Sequence, residues 1–259
     1  FSQISELNGL TSLKCYFKPV RNTTCPFRDM LLKKLNLRSF EEVRNGVPLK
    51  FKIQTITPDL IEDVLRHMFT YFLTRKPITT YDDLLQDGKS VSSYTRFWKK
   101  TLLSGESMVA LEQRDDDIVK IVGVNITTVA DKHKNYNEVY EGKVFNNVLN
   151  DVKNLTEIGN VYKTYDLDRY LTSHGLSVHS DYHGYNIGLR LLETREVLCQ
   201  ELGLKATATV FSSKVAQYLA AKAGFRTLVE QSFRTIKVDG KIAYPDADGS
   251  LKLMGIKYV

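Results

Sequence analysis

The stretch Leu176-Ser-Val-His-Ser-Asp-Tyr-His-Gly-Tyr-Asn-Ile-Gly-Leu-Arg190 leaves a strand, crosses a short loop and opens a helix. Gly184 and Gly188 let the backbone approach a ligand closely, and Asn186 tolerates left-handed dihedrals. The N–H groups at the start of the helix lack intrahelical partners, and the helix dipole favours an anion in front of them. Such a cradle suits a diphosphate. The same residues also fit a plain turn that only links strand to helix, and glycine spacing alone does not separate the two. The spacing is neither GxGxxG nor GxxxxGK[ST], so nicotinamide and P-loop readings find no support.

Outward from this stretch, Tyr170 to Val178 reads as a strand, and Gly184 to Leu202 as a glycine followed by a leucine-rich helix. Lys205 to Phe211 is β-rich, and Ser212 or Ser213 caps a helix that stops at Ala223-Gly224. Strands are expected over 226–238 and 251–258. Upstream, Phe51-Lys-Ile-Gln-Thr-Ile alternates like a half-buried strand. Thr57-Pro58 opens a helix, which Pro77 ends. A second helix is expected over 92–103, then a strand pair at 107–112 and 118–129 that turns at Arg114-Asp-Asp-Asp. Residues 131–160 read as an insertion with a helix near 141–152. Residues 1–48 read as an N-terminal extension packing on the domain, with a strand at 13–19 and a helix near 26–36. The domain itself is expected over 49–259, on a mixed α/β plan.

The bulk composition of the 259 residues is that of a globular protein, with 42% hydrophobic and 25% charged residues. No apolar run approaches the ~20 residues of a membrane span. The first ten residues, FSQISELNGL, show no basic stretch followed by an apolar one, which leads us to expect a cytoplasmic protein. Cys15, Cys25 and Cys199 form no CxxC pair, so neither a disulfide framework nor a zinc ribbon is expected. The net charge of +6 is scattered, and no basic run is interleaved with aromatics. An anionic small molecule accounts for this excess as well as nucleic acid does, and we expect no nucleic-acid partner, no membrane partner and no metal.

The cradle resembles motif A of the GCN5-related N-acetyltransferases, which runs Gln or Arg, x, x, Gly, x, Gly or Ala. In register the motif falls on His183, Gly184, Tyr185, Asn186, Ile187 and Gly188; His183 replaces the Arg or Gln, Asn186 replaces the first Gly, and Gly188 is kept. Arg195-Glu-Val-Leu-Cys, Lys205-Ala-Thr-Ala-Thr-Val-Phe and Ala220-Ala-Lys-Ala-Gly-Phe225 are similar to insect arylalkylamine N-acetyltransferase-like proteins. The resemblance covers about 51–258 and is strongest at 171–225. It implies a mixed, mostly antiparallel twisted sheet, a central splay between the fourth and fifth strands, and helices on both faces. It further implies acetyl-CoA as co-substrate, a small amine as acceptor, and a monomer or weak dimer. Leu176, Ser177 and Val178 would then run along the pantetheine arm, and 183–188 would hold the diphosphate. Ser213 stands where the family often places an Asn or Ser close to the co-substrate, although a helix cap is the simpler role for it.

Acyl transfer to an amine needs a base, polarisation of the carbonyl and an acid for the thiolate. The insect proteins carry a Glu before Pro at the end of the first helix, and here Lys76 precedes Pro77. His174 matches the second of two histidines on this strand in the vertebrate enzymes, with Thr172 replacing the first, so His174 is the candidate base. Simple alternation puts His179 on the opposite strand face from His174. The family's acid tyrosine falls on Ala220, and its helix serine on Ala216. These departures leave a second reading open: a protein that keeps the fold and binds CoA without catalysis.

Overall fold

The computed structural model describes residues 34–75, 84, 86–113, 120–136, 138–238 and 240–258. The chain divides into two units, Phe1–Met30 and Leu31–Val259, and all the described residues belong to the second. Cys15, Cys25, Lys76, Pro77, the strand expected at 13–19 and the turn at 114–117 lie outside the described residues.

An eight-stranded sheet forms the centre. Its strands are β1 (Asn36–Arg44), β2 (Val47–Thr55), β3 (Met108–Glu112), β4 (Lys120–Asp131), β5 (Arg169–Val178), β6 (Ala206–Phe211), β7 (Arg226–Ser232) and β10 (Ser250–Lys257), while β8 (Lys237–Val238) and β9 (Lys241–Ile242) form a small separate ladder. The order is β1-β2-β3-β4-β5-β6-β10-β7. Every neighbouring pair is antiparallel except β5 and β6, which run parallel and are bridged at one pair, Leu171 with Thr207. The splay therefore lies between the two strands expected to flank it. They are the fifth and sixth strands, because the sheet begins at Asn36, inside the stretch read as an extension. Most of the helix expected near 26–36 lies outside the described residues, and its last residue, Asn36, begins β1.

The helices are α1 (Ile61–Tyr71), α2 (Gly88–Leu102), α3 (Lys143–Gly159), α4 (Val161–Tyr165), α5 (Ile187–Glu193), α6 (Arg195–Glu201) and α7 (Lys214–Lys222). Both faces of the central strands are covered, which is why β3 reads as an unbroken apolar run. Val109 and Leu111 pack against α1 and α2, with Trp98 fully buried among them. Met108 and Ala110 face α5 and α6, beside Leu191 and Leu198. Each such Val, Leu or Met side chain contributes about 1.5–3 kcal/mol by leaving water.

Local chemistry explains several boundaries. Thr57 makes no side-chain cap bond; Pro58 starts a short 3-10 turn, Pro58–Leu60, that leads into α1. The single helix expected over 184–202 is two, α5 and α6. Thr194 Oγ1 donates to the Arg190 carbonyl at 2.7 Å, a back-bond that bends helices. Ser213 Oγ accepts from the Ala216 amide at 3.2 Å and caps α7. Gly224, at φ +90°, ends it. The segment read as an insertion is integral. Asp87 caps α2 and also accepts from the Val144 amide, and Ser90 Oγ accepts from Phe145, so the starts of α2 and α3 are tied together.

Among the described residues no helix is long and apolar enough to cross a membrane.

Candidate active site

Past the Leu171–Thr207 bridge, β5 and β6 part, and a cavity of about 630 Å³ opens between them. Ten of the eleven residues expected at the site line it: His174, Leu176, Ser177, Val178, His183, Gly184, Asn186, Ile187, Gly188 and Ser213. Tyr185 does not. Its ring is buried in the core, 5.8 Å from that of Phe51, with the Arg44 guanidinium 5.9 Å from its centroid.

The cradle is narrower than the sequence suggests. The amides of His183 and Tyr185 are already used, donating to the Ser180 and Tyr182 carbonyls. The open donors are those of the first turn of α5, from Ile187 on. Asn186 sits at φ +51° in the cap position but makes no cap bond to α5. Its amide instead donates to Glu42 Oε2 at 3.0 Å. Glu42 also takes both Arg190 Nε and Nη2, at 2.8 and 2.6 Å. Burial opposes ionisation of Glu42, but the bonds from Asn186 and Arg190 outweigh it and hold the carboxyl below its usual range. Strand β1 thus turns away the one side chain that would close the helix start. Arg44 of β1 donates to the His183 carbonyl and brings positive charge to the same lip. Gly184, at φ +92°, packs against the Arg44 side chain, where a Cβ would lie 3.1 Å from Nε.

Strand β5 carries a bulge. Gly175 pairs with Ile126 and Ser173 with Thr127, which leaves His174 as the extra residue. The His174 carbonyl, freed from the ladder, accepts from Trp98 Nε1 at 3.1 Å, and its ring lies 4.6 Å from that of Phe97. The bulge also reverses the alternation assumed from sequence. His179 does not point away from His174: it stacks at 4.4 Å on Tyr71 of α1, so both histidines face the α1–α2 layer. Beyond the bulge, the Val178 carbonyl faces the splay and accepts from His183 Nε2 at 3.3 Å. By alternation Leu176 presents its backbone to the same open edge. The Ser177 side chain is buried, with its Oγ unpartnered.

A buried polar network that sequence reading missed spans the fork. Asn125 of β4 donates to Ser173 Oγ and to the Gly175 carbonyl, both at 2.8 Å, and holds the bulge. Arg195 Nε donates to Asn125 Oδ1 and Nη1 to Thr209 Oγ1, both at 2.9 Å. Thr207 Oγ1 donates to the Leu171 carbonyl at 2.8 Å, at the bridge itself. The guanidinium of Arg195 is fully buried, lines the cavity and leaves Nη2 without a partner. Burial pushes its pKa down to about 10. A sequence signal existed: Arg195 falls at helical spacing within the apolar face of Leu191, Leu192, Leu198 and Cys199.

The far end of the cavity is aromatic. Tyr71 comes from the end of α1 and Phe72 from the residue after it, Tyr94, Phe97 and Trp98 from α2, and Phe145 from α3. No Asp or Glu lines the cavity among the described residues, and no three His, Cys, Asp or Glu side chains are grouped to hold a metal. Ala220, the expected place of an acid tyrosine, is fully buried, and Tyr218 is exposed on α7.

The single parallel pair at the splay, the bulged strand and the following helix start define the fold of the GCN5-related N-acetyltransferases. No protein-family model matches the sequence, and no curated protein matches it. Among solved structures, one assigned as arylalkylamine N-acetyltransferase 7 of the yellow fever mosquito Aedes aegypti is 26% identical, covers 93% of this chain and 99% of its own, and superposes with a TM-score of 0.80. Arylalkylamine N-acetyltransferase 2 of the same mosquito is 19% identical over 81% of this chain and 99% of its own, with a TM-score of 0.68. A Drosophila melanogaster polyamine N-acetyltransferase, described as forming N-acetylagmatine, is 15% identical over 80% of this chain and 99% of its own, at 0.64. The last two show shared fold alone.

Proposed function

We propose that the chain is an N-acetyltransferase that moves an acetyl group from acetyl-CoA to a small, arylalkylamine-like amine. The observation that carries this reading is the one-bridge fork between β5 and β6, with an uncapped helix start at one lip of its cavity and an aromatic chamber at the other. The residues suit the co-substrate. The first-turn amides of α5, with Gly184, Gly188 and the Arg44 charge beside them, would hold the diphosphate. The open backbone edge at Leu176 and Val178 would pair with the pantetheine arm as an added strand. Ser213 borders the cavity while capping α7, so its hydroxyl oxygen is already engaged.

In the reaction the amine nitrogen attacks the thioester carbonyl, the C–N bond forms, the C–S bond breaks, and the electron pair leaves on sulfur. His174, held at the bulge and facing the aromatic chamber, would take the amine's proton. The ternary complex forms with the acyl group in the throat of the fork, where the Val178 region can offer backbone polarity to the carbonyl. The aromatic lining from Tyr71, Phe97 and Trp98 favours an acceptor recognised by its ring.

The buried Ala220 at the place of the family's acid supports a second reading, a CoA-binding protein without turnover. A thiol-release assay with acetyl-CoA and a panel of amines separates the two. Thiol release with an arylalkylamine is expected. CoA binding with no release from any amine would leave the second reading standing.

A further inference from the structure

With Ala220 unable to donate, a proton for the leaving thiolate must come from elsewhere. We propose that Tyr71 is that proton donor and that His179 recharges it from the solvent side; this rests on the transferase reading above. Tyr71 reaches the cavity from the last turn of α1. Its Oη lies 2.8 Å from His179 Nε2. The direction of that hydrogen bond is fixed one step further out. His179 Nδ1 accepts from the Asp181 amide at 3.2 Å, so in the neutral ring the hydrogen sits on Nε2 and is donated to Tyr71. The Tyr71 oxygen is thereby an acceptor toward His179, and its own O–H is left to point elsewhere, on a residue that borders the cavity. The third ring of the stack, His67, lies 4.9 Å from Tyr71 and is buried, with no partner on Nε2. Burial, then the nearby His179, drives its pKa down to about 4, so it adds no competing charge near neutrality.

The step balances. As the C–S bond breaks, the Tyr71 O–H proton passes to sulfur and free thiol forms. The 17% exposed imidazole of His179 takes a proton from water at Nδ1, beside the Asp181 carboxylate, as its Nε2 proton passes to the phenolate, so the ring goes through the imidazolium and returns to its starting tautomer by exchange with water. The proton that His174 takes from the attacking amine is then released to water, so none is gained or lost overall.

The test is Tyr71→Phe, compared with the unaltered enzyme on two acyl donors. Acetyl-CoA expels an alkanethiolate, which benefits from protonation; an acetyl thioester of a nitrothiophenol expels a thiolate stable without it. Turnover of acetyl-CoA should fall at least tenfold, and by much less with the aryl thioester. Acetyl-CoA affinity by calorimetry should stay within twofold. Equal losses on both donors, or none on either, overturn the role of Tyr71. Should Tyr71→Phe not fold, His179→Gln carries the same comparison, since it preserves a donor to Tyr71 without relaying protons. An unaltered protein that releases no thiol with any amine overturns the transferase reading itself, whereas an active one matched by Tyr71→Phe overturns only this inference.

Discussion

Arg195 donates from Nε to Asn125 Oδ1 at 2.9 Å, and through that bond one buried guanidinium on α6 fixes the bulge that exposes His174. The network carries no carboxylate. The charge is solvated by an amide, two threonines and the face of Phe225, 5.7 Å away. Replacing Arg195 by Met removes a costly buried charge but strands Asn125 Oδ1 and Thr209 Oγ1. The second effect should win, since each orphaned group costs about 1–3 kcal/mol. Thermal unfolding of Arg195→Met should show a loss of about 2 kcal/mol, and an unchanged midpoint would contradict it.

His174→Ala tests the base. Turnover should fall about a hundredfold, as expected when a positioned proton acceptor is lost. Acetyl-CoA affinity should be unaffected, because the His174 carbonyl and not its ring takes the Trp98 bond. Steady-state kinetics with an arylalkylamine, set beside calorimetry, make the check. Unchanged turnover would remove His174 from the mechanism.

Gly188→Val tests the cradle. A Cβ there would lie 3.1 Å from Leu219 Cδ1 and 3.6 Å from Val178 Cγ2. Added branches would press Leu219 into the cavity and narrow the lip. Acetyl-CoA affinity should weaken at least tenfold, or about 1.4 kcal/mol. Full affinity would place the diphosphate elsewhere.

His67 makes stability depend on pH. Burial, and then the charge of His179, hold its folded pKa near 4 against an ordinary 6.5. The unfolded chain therefore binds this proton first as the pH falls. The contribution is complete above pH 6.5 and is lost on descending toward 4, at most about 3 kcal/mol in all. Denaturant titrations between those limits should show the decline, and His67→Met should flatten it.

The central half of this architecture could be read from residues. Gly184, Asn186 and Gly188 behind a β-rich stretch announce a strand, an open turn and a helix, because each choice there serves backbone conformation. Strand β1 could not be read the same way. NLRSFEEVR is an edge strand with charges on its outer side, and its role comes from its partner β2, the acceptors it offers Asn186 and Arg190, and the bond from Arg44 to His183. The bulge at His174 was equally hidden, since one extra residue leaves composition untouched yet swaps the faces of every side chain beyond it. Arg195 and Asn125 lie 70 positions apart, and Tyr71 and His179 108 apart, so chain folding alone brings either pair together.

The solitary Leu171–Thr207 rung has a mechanical meaning. It divides the eight strands into a panel of five and a panel of three, joined like two pages at one stitch. Amide hydrogens along the parted margins have no ladder to shelter them from deuterium. A molecule laid lengthwise between the pages would supply the missing stitches, so binding should register as slowed isotope exchange on both margins at once.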